Sequence, residues 1–548
     1  MVCGVDSPAV FNQPPPLEGL DLFSTNRPLV EATVRAGAGW VLERAARLGR
    51  LAGGEALRWG FEANEHPPRL HTHDRYGNRI DEVAFHPAWH ELMRMGIAWE
   101  LHALPWRTTQ AAAHSARAAL YMTAIQAEAG FGCPITMTYA AVPALRAETD
   151  LAAAWEPLLT STTYDRRLVS PAEKGSAICG MAMTERQGGS DVRANTTAAA
   201  PLTAAGEYAL TGHKWFCSAP MSDVFLVLAQ TPDGLGCFLV PRVLADGTRN
   251  RFHLERLKDK LGNRSNASAE VALDGAWARL VGPAGRGVAT IIEMVGHTRL
   301  DCAIGAAGGM RWATAQAVHH ATHRAAFGRA LVEAPLMRNV LADLALESEA
   351  ATALAMRLAG AYDEAAGGGE AAEAFRRLVT AIGKYWLCKR VPAHAAEALE
   401  CLGGNGYVEA SGLPRLYREA PLGSIWEGSG NVMCLDVLRA LGRGPESVDL
   451  YFDELDAARG ADRRLDAFAG RLRRELDRPD EAESRARTVV ELLALGLQGA
   501  LLVRHAPPAV ADAFCAGRLA GEAGHEYGTL PGGTDFGAII DRHRPVPV

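Results

Sequence analysis

Two short stretches combine residue types that could hold a planar, polar ligand. Met181-Ala-Met183-Thr184-Glu-Arg-Gln-Gly188-Gly189-Ser190-Asp191 joins hydroxyls to paired glycines, which suits a turn that brings backbone amides up to a ligand. It equally suits a glycine-rich domain junction. Further on, Gly212-His-Lys-Trp215-Phe216-Cys217-Ser218 sets an aromatic pair beside a small hydroxyl, fit to pack on a ring and hydrogen-bond its edge. Read alone, it fits a core strand as well.

A third stretch is basic. From Arg459 to Arg478 there are seven arginines and four acids, net +3. Arg464, Arg471, Arg474 and Arg478 recur at helical spacing beside an apolar stripe of Leu465, Phe468 and Leu472. Guanidinium groups along one helix face suit phosphates, and they also suit a solvated, salt-bridged face. Residues 451 to 548 as a whole carry 13 Arg against 16 Asp plus Glu, so only this helix is basic.

Other chemistries lose their footing. Gly428-Ser-Gly430 and Gly285-Arg-Gly287 lack the third glycine of a dinucleotide-binding turn. Gly383-Lys384 is followed by Tyr385 where a phosphate loop needs Ser or Thr, and no H-E-x-x-H or G-x-S-x-G occurs. His319, His320 and His323 have helical spacing but no accompanying carboxylate or thiolate set, so they read as a partly solvated face and no metal is expected.

The elements that must position these residues follow from periodicity. Residues 1–180 are Ala/Leu/Arg-rich with helical patterns such as Val41 to Leu51 and Ala111 to Glu128. Residues 181–282 turn to short β-prone runs, Tyr208 to Leu210, Val224 to Ala229 and Cys237 to Val240. Residues 283–445 return to long helical patterns, Met310 to Ala325, Leu336 to Leu358 and Ala371 to Leu399, the last with a kink expected at Pro392. Residues 446–548 read as a further helical domain. The fold class is therefore α+β, mainly α.

The 548 residues carry 48% hydrophobic and 22% charged side chains and a net charge of −7, an ordinary globular composition without a global basic field. Ten cysteines lack paired or finger-like spacing, as expected of reduced thiols in the cytoplasm. No export signal is expected at the N-terminus. No membrane span is expected either, because Val489 to Val503 is interrupted by Glu491 and Gln498.

Taken in order, these segments resemble the acyl-CoA dehydrogenase family. Arg324-Ala-Ala-Phe327-Gly328 is similar to its R-x-x-F-G motif, and Cys401-Leu-Gly403-Gly404-Asn-Gly406-Tyr407 to its G-G-x-G-Y turn. Arg415-Leu-Tyr417-Arg418 and Ile425-Trp426-Glu427-Gly428-Ser429 resemble its R-L-Y-R-D and I-Y-E-G-T pair. Phe11-Asn-Gln-Pro14, His86-Pro-Ala-Trp-His90, Gly132-Cys-Pro-Ile-Thr-Met137 and the run Arg256 to Ser268 look like the branch of that family tied to the response to DNA alkylation.

The resemblance implies an N-terminal helical domain, a barrel-like β domain and a helical bundle, with FAD held between the last two and across the subunits of a homotetramer. It implies that Met181, Met183, Thr184, Gly189, Ser190, Phe216, Cys217 and Ser218 line the flavin, with Phe216 where many relatives carry Trp. Gly403, Gly404, Gly406, Arg324 and Phe327 would serve the FAD of a partner subunit, and Ile425, Trp426, Gly428 and Asn431 complete the cofactor set. The Gln that follows the R-x-x-F-G motif in the family is Pro335 here, so that adenosine contact is not carried over. Glu427 takes the catalytic-base position. The branch implies sequence-tolerant binding of double-stranded DNA, for which Arg439, Arg443, Arg464, Arg471, Arg474 and Arg478 are the candidate contacts. The expected function is an FAD-containing protein of the alkylation response with weak acyl-CoA dehydrogenase activity on a short or branched acyl-CoA. The alternative is a metabolic acyl-CoA dehydrogenase without a DNA role.

Overall fold

In the computed structural model, residues 11–443, 445–478 and 481–546 are described. Gly444 and the last two residues of the RPVPV tail fall outside them. The N-terminal region is helical from Arg27–Arg35 to Thr149–Leu159, with one feature the periodicity missed. β1 (Arg69–His73) and β2 (Arg79–Ala84) form an antiparallel hairpin. Its turn is made by Asp74, whose carboxylate accepts from the Tyr76 and Asn78 amides, with Gly77 at φ +87°. The strand sequence RLHTH is half polar and carried no β signal.

The middle sheet comprises β3 (Cys179–Ala182), β4 (Ala198–Pro201), β5 (Glu207–Ser218), β6 (Val224–Thr231), β7 (Gly234–Pro241), β8 (Phe252–Leu257) and β9 (Ser268–Val281). β7 pairs with both β9 and β6, so the order β6-β4-β5-β9-β7 closes on itself as a small barrel. β6 shows how the alternation of a strand builds two cores at once. Phe225, Val227 and Ala229 point into the barrel, while Val224, Leu226 and Leu228 join Leu145, Trp155, Ile291 and Met294 of the flanking helices. A strand buried on both faces reads as the continuous apolar run VFLVLA.

The bundle is built on Gly287–His323, Pro335–Ala366 and Glu370–Cys401. The 37-residue first helix is about 55 Å long at 1.5 Å per residue. The third helix runs through Pro392 to Cys401. The C-terminal region packs on this bundle. Its central helix, Ala482–His505, is the one described helix long and apolar enough to cross a membrane, but 72% of its apolar window is buried. Its apolarity comes from enclosure by neighbouring helices on most sides.

Arginine–carboxylate contacts fasten this region to the helix Pro335–Ala366. Arg518 pairs with Asp343 and Glu347, and Arg542 with Glu349. Buried Gln498 accepts from Trp386 Nε1 at 3.0 Å.

Candidate active site

Glu427 lies in the turn before the helix Gly430–Arg443, with a left-handed backbone at φ 56°. Such a conformation is costly for a residue with a β-carbon and persists where surroundings impose it. Here three hydrogen bonds from two cations impose it. Lys384 donates to the carbonyls of Trp426, at 2.8 Å, and Gly428, and Arg299 Nε donates to the Glu427 carbonyl at 3.0 Å. The cations therefore hold the backbone and leave the carboxylate alone. Arg299 is further engaged by Asp436 at 2.8 Å, and Arg418 by Glu409 at 2.6 Å. Among the described residues the carboxylate accepts only from Thr298 Oγ1, at 2.6 Å. Burial raises its pKa above the ordinary carboxylate value, against the opposing pull of Thr298, Arg299 and Lys384. A carboxylate so placed can take a proton from carbon.

The β-domain residues face the same region. Met181, Met183 and Trp426 pack on one apolar cluster, with Cys133 and Met137 of the helix Gly132–Leu145. Burial pushes the Cys133 thiol up to about 11, with Lys260 the larger and Glu427 the smaller of the two charges that act on it. Cys133 thus marks where barrel and Glu427 meet. The loop carrying Thr184 and Ser190 is fixed by the fully buried ion pair of Lys214 and Glu185, 2.8 Å apart. Glu185 also takes both the amide and the hydroxyl of Thr197. Gly189 has no alternative, because a β-carbon there would sit 2.5 Å from Thr184 Oγ1.

Within β5, Phe216 is 52% exposed, whereas Cys217 is buried inside the barrel. Any contact of Cys217 with a cofactor is therefore through its backbone. A bulge between Lys214 and Cys217 puts Trp215 and Phe216 together against Lys258 and returns Cys217 to the inside. Asn431 is engaged by Arg487, 2.9 Å away, which turns its side chain toward the C-terminal region. Ile425 is exposed and Gly428 half-buried.

The donor set fits a flavin. Phe216 is exposed on β5, the same strand carries Ser218 and is tied at the Trp215 amide to the Thr184 carbonyl, and Trp426 Nε1 is buried without a hydrogen-bond partner among the described residues. At a second place, Gly403 (φ +58°) and Gly404 have nothing within 4 Å of a would-be β-carbon, so an anion such as a pyrophosphate can approach the backbone closely there. Gly406 is packed against Leu399 O. Arg324 and the fully exposed Phe327 lie near this turn. Among the described residues the two groups share no hydrogen bond or ring contact, as expected if each serves a different copy of the chain.

Sequence reasoning missed Thr298 and Lys384 as partners of the Glu427 turn. It also missed a cleft of about 580 Å³ at the N-terminal end of Gly287–His323, lined by Arg193, Arg286, Arg377 and Arg443. Of the other candidate arginines, Arg464 is tied between Asp462 and Asp512. Arg478 lies beyond the end of the helix Arg463–Leu476 and pairs with Glu475, which takes it off the expected face. Arg439 pairs with Asp436 but stays 57% exposed. Arg471, over the Phe468 ring at 4.7 Å, and Arg474 are exposed.

Comparison with known proteins agrees with this anatomy. Residues 12–166 match the adaptive response protein AidB N-terminal domain, residues 180–276 the acyl-CoA dehydrogenase middle domain, and residues 285–442 the acyl-CoA dehydrogenase C-terminal domain. The chain belongs to the acyl-CoA dehydrogenase family, and its fold is that family's fold. Within the family it is of the AidB type: it is 48% identical to the putative acyl-CoA dehydrogenase AidB of Escherichia coli K12, over 92% of this chain and 93% of that protein. It is 32% identical to acyl-CoA dehydrogenase family member 11 of Caenorhabditis elegans over 83% of this chain and 73% of that protein. The structure of ACDH-11 from that nematode in complex with C11-CoA superposes with a TM-score of 0.85 at 27% identity, covering 94% of this chain and 93% of that one.

Proposed function

We propose that this protein is an FAD-dependent acyl-CoA dehydrogenase whose base is Glu427. The observation that carries the reading is a desolvated carboxylate with no cation on its oxygens among the described residues, next to a barrel face fit for a flavin. Bound there, FAD supplies the acceptor for the hydride of the acyl β-carbon. The chain's own part is to take the α-proton. Glu427 Oε receives it, in a site where desolvation makes the carboxylate a stronger base. Thr298 orients that carboxylate through its hydroxyl. Lys384 and Arg299 keep the turn in its strained conformation.

The arginine cleft extends this reading to the thioester's carrier. Arg286 and Thr298 are 12 residues apart around one helix, and Asn431 and Arg443 are 12 apart on another, about 18 Å in each case at 1.5 Å per residue. Both helices lead from Glu427 to the cleft, a span suited to an extended pantetheine arm ending in phosphates. The test is anaerobic addition of a short or branched acyl-CoA to the FAD-loaded protein. The flavin absorbance should bleach, and Glu427→Gln should retain FAD but not bleach. Bleaching at the wild-type rate in Glu427→Gln would reject the assignment.

A second reading rests on Arg471 and Arg474, exposed cations without a carboxylate partner among the described residues. Together with similarity to AidB, they support binding of double-stranded DNA as part of an alkylation response. Arg439 and Arg478 would add weaker contacts, Arg464 would stay in its aspartate clamp, and Arg443 would serve the cleft. A homotetramer is supported by Phe327, Leu336 and Tyr407, each more than 80% exposed. A cytoplasmic location is supported by free, mostly buried thiols. Fluorescence anisotropy with a random duplex at several salt concentrations tests the DNA reading. Replacing Arg471 and Arg474 by Ala should weaken binding and flatten the salt slope by about 1.8, near 0.9 per lost phosphate contact. Absence of binding at low salt would leave the metabolic dehydrogenase.

A further inference from the structure

Residues 11–15 are tied to three separate elements of the bundle. Asn12 makes a two-point contact with Ala325: its Nδ2 donates to the carbonyl at 2.8 Å and its Oδ1 accepts from the amide at 2.7 Å. The Asn12 carbonyl accepts from Arg324 Nη1 at 2.5 Å. Gln13 Oε1 accepts from Asn405 Nδ2 at 3.0 Å, and the Pro15 carbonyl meets His319 Nε2 at 2.8 Å. Asn12 adopts φ 54°, a left-handed conformation that Asn tolerates better than most residues.

These contacts converge on the second flavin-related group. Arg324 and Phe327 stand on a pairing of only two residues per side, Ala325–Ala326 with Arg329–Ala330, too short to hold its own shape in water. Phe327 itself is at φ 54° and fully exposed. Asn405 lies between Gly404 and Gly406. The strap therefore joins the arginine and the glycine turn through adjacent residues, Asn12 and Gln13. It also engages one Nη of Arg324 and, among the described residues, leaves the other donors of the guanidinium fork for an anion.

We propose that Asn12 is a positioning residue for the cofactor, which locks Arg324 and the Gly403–Gly406 turn into one phosphate-binding arrangement before the flavin arrives. The proposal rests on the FAD reading above. Its contacts lie at the exposed surface, where they add little to the stability of the fold. Their effect should appear in cofactor affinity.

The experiment uses the full-length protein stripped of FAD and titrated with FAD by flavin fluorescence. Asn12→Gly keeps the left-handed backbone and removes both side-chain bonds. It should weaken FAD binding roughly ten- to thirtyfold, as expected for two hydrogen bonds, and leave the melting temperature of the apoprotein unchanged. Asn12→Asp, which keeps only the acceptor to Ala325, should fall between. Dehydrogenation at saturating FAD should return to the wild-type rate in both. FAD affinity equal to wild type in Asn12→Gly would overturn the role of Asn12 while leaving the flavin reading intact. A parallel loss of apoprotein stability would also overturn it, making the strap a fold element. A wild-type protein that binds no FAD would overturn both.

Discussion

Glu347 and Glu427 are the same side chain held by one bundle in opposite ways. Glu347 receives a two-point contact from Arg390, at 3.0 Å on each oxygen, and a third from Arg518 at 3.3 Å. Burial alone would raise its pKa, but the two guanidinium groups, Arg390 foremost, bring it down to about 2. Glu427 is desolvated too, yet its oxygens meet one hydroxyl, and the nearby cations are engaged by carbonyls and by Asp436. Its pKa rises. A carboxylate that fastens the C-terminal region stays ionised, and one that must exchange a proton is kept from arginine.

The largest effect should come from Glu427→Gln, which removes the base and should slow flavin reduction by about 10²- to 10⁴-fold in anaerobic stopped-flow, with FAD retained. Glu347→Gln should instead leave chemistry intact and cost stability, about 3 to 5 kcal/mol for breaking a largely buried pair, read from denaturant unfolding. The pH dependence separates the two further. The depressed pKa of Glu347 means that its contribution is present above the unfolded carboxylate value near 4.3 and is lost as pH falls toward about 2. Glu347→Gln should flatten that acid limb of stability. The raised pKa of Glu427 has the opposite sign: its penalty sets in as pH rises past the unfolded carboxylate value near 4.3 and is complete once pH exceeds the folded value. Glu427→Gln should therefore make the protein slightly more stable at neutral pH, measured by its melting temperature. Equal destabilisation by both Gln variants would break the comparison.

Much of this was legible in the sequence, and what was missed has physical reasons. β6 declared itself because a strand buried on both faces is an unbroken apolar run, and the long bundle helices declared themselves by period. The hairpin at Arg69–Ala84 did not, since its strands are half-exposed and polar. Glu427 came from its motif, but its state depends on Thr298, 129 positions away, and on Lys384. The arginine cleft gathers positions 193, 286, 377 and 443 from four elements, a convergence no local pattern announces. In the basic helix the apolar stripe of Leu465, Phe468 and Leu472 was legible from its spacing, but Arg478 falls beyond the helix end. The aspartate clamp on Arg464 draws in Asp512 from a different helix.

Whether Glu427 is a base kept free of cations is decided by the pH dependence of single-turnover flavin reduction by acyl-CoA. Wild type should lose rate as pH falls through a midpoint above the ordinary carboxylate range near 4.3. Thr298→Val, which removes the one hydrogen bond to the carboxylate, should move that midpoint upward. An acid limb at or below the ordinary carboxylate range, or one that Thr298→Val leaves unmoved, would contradict it.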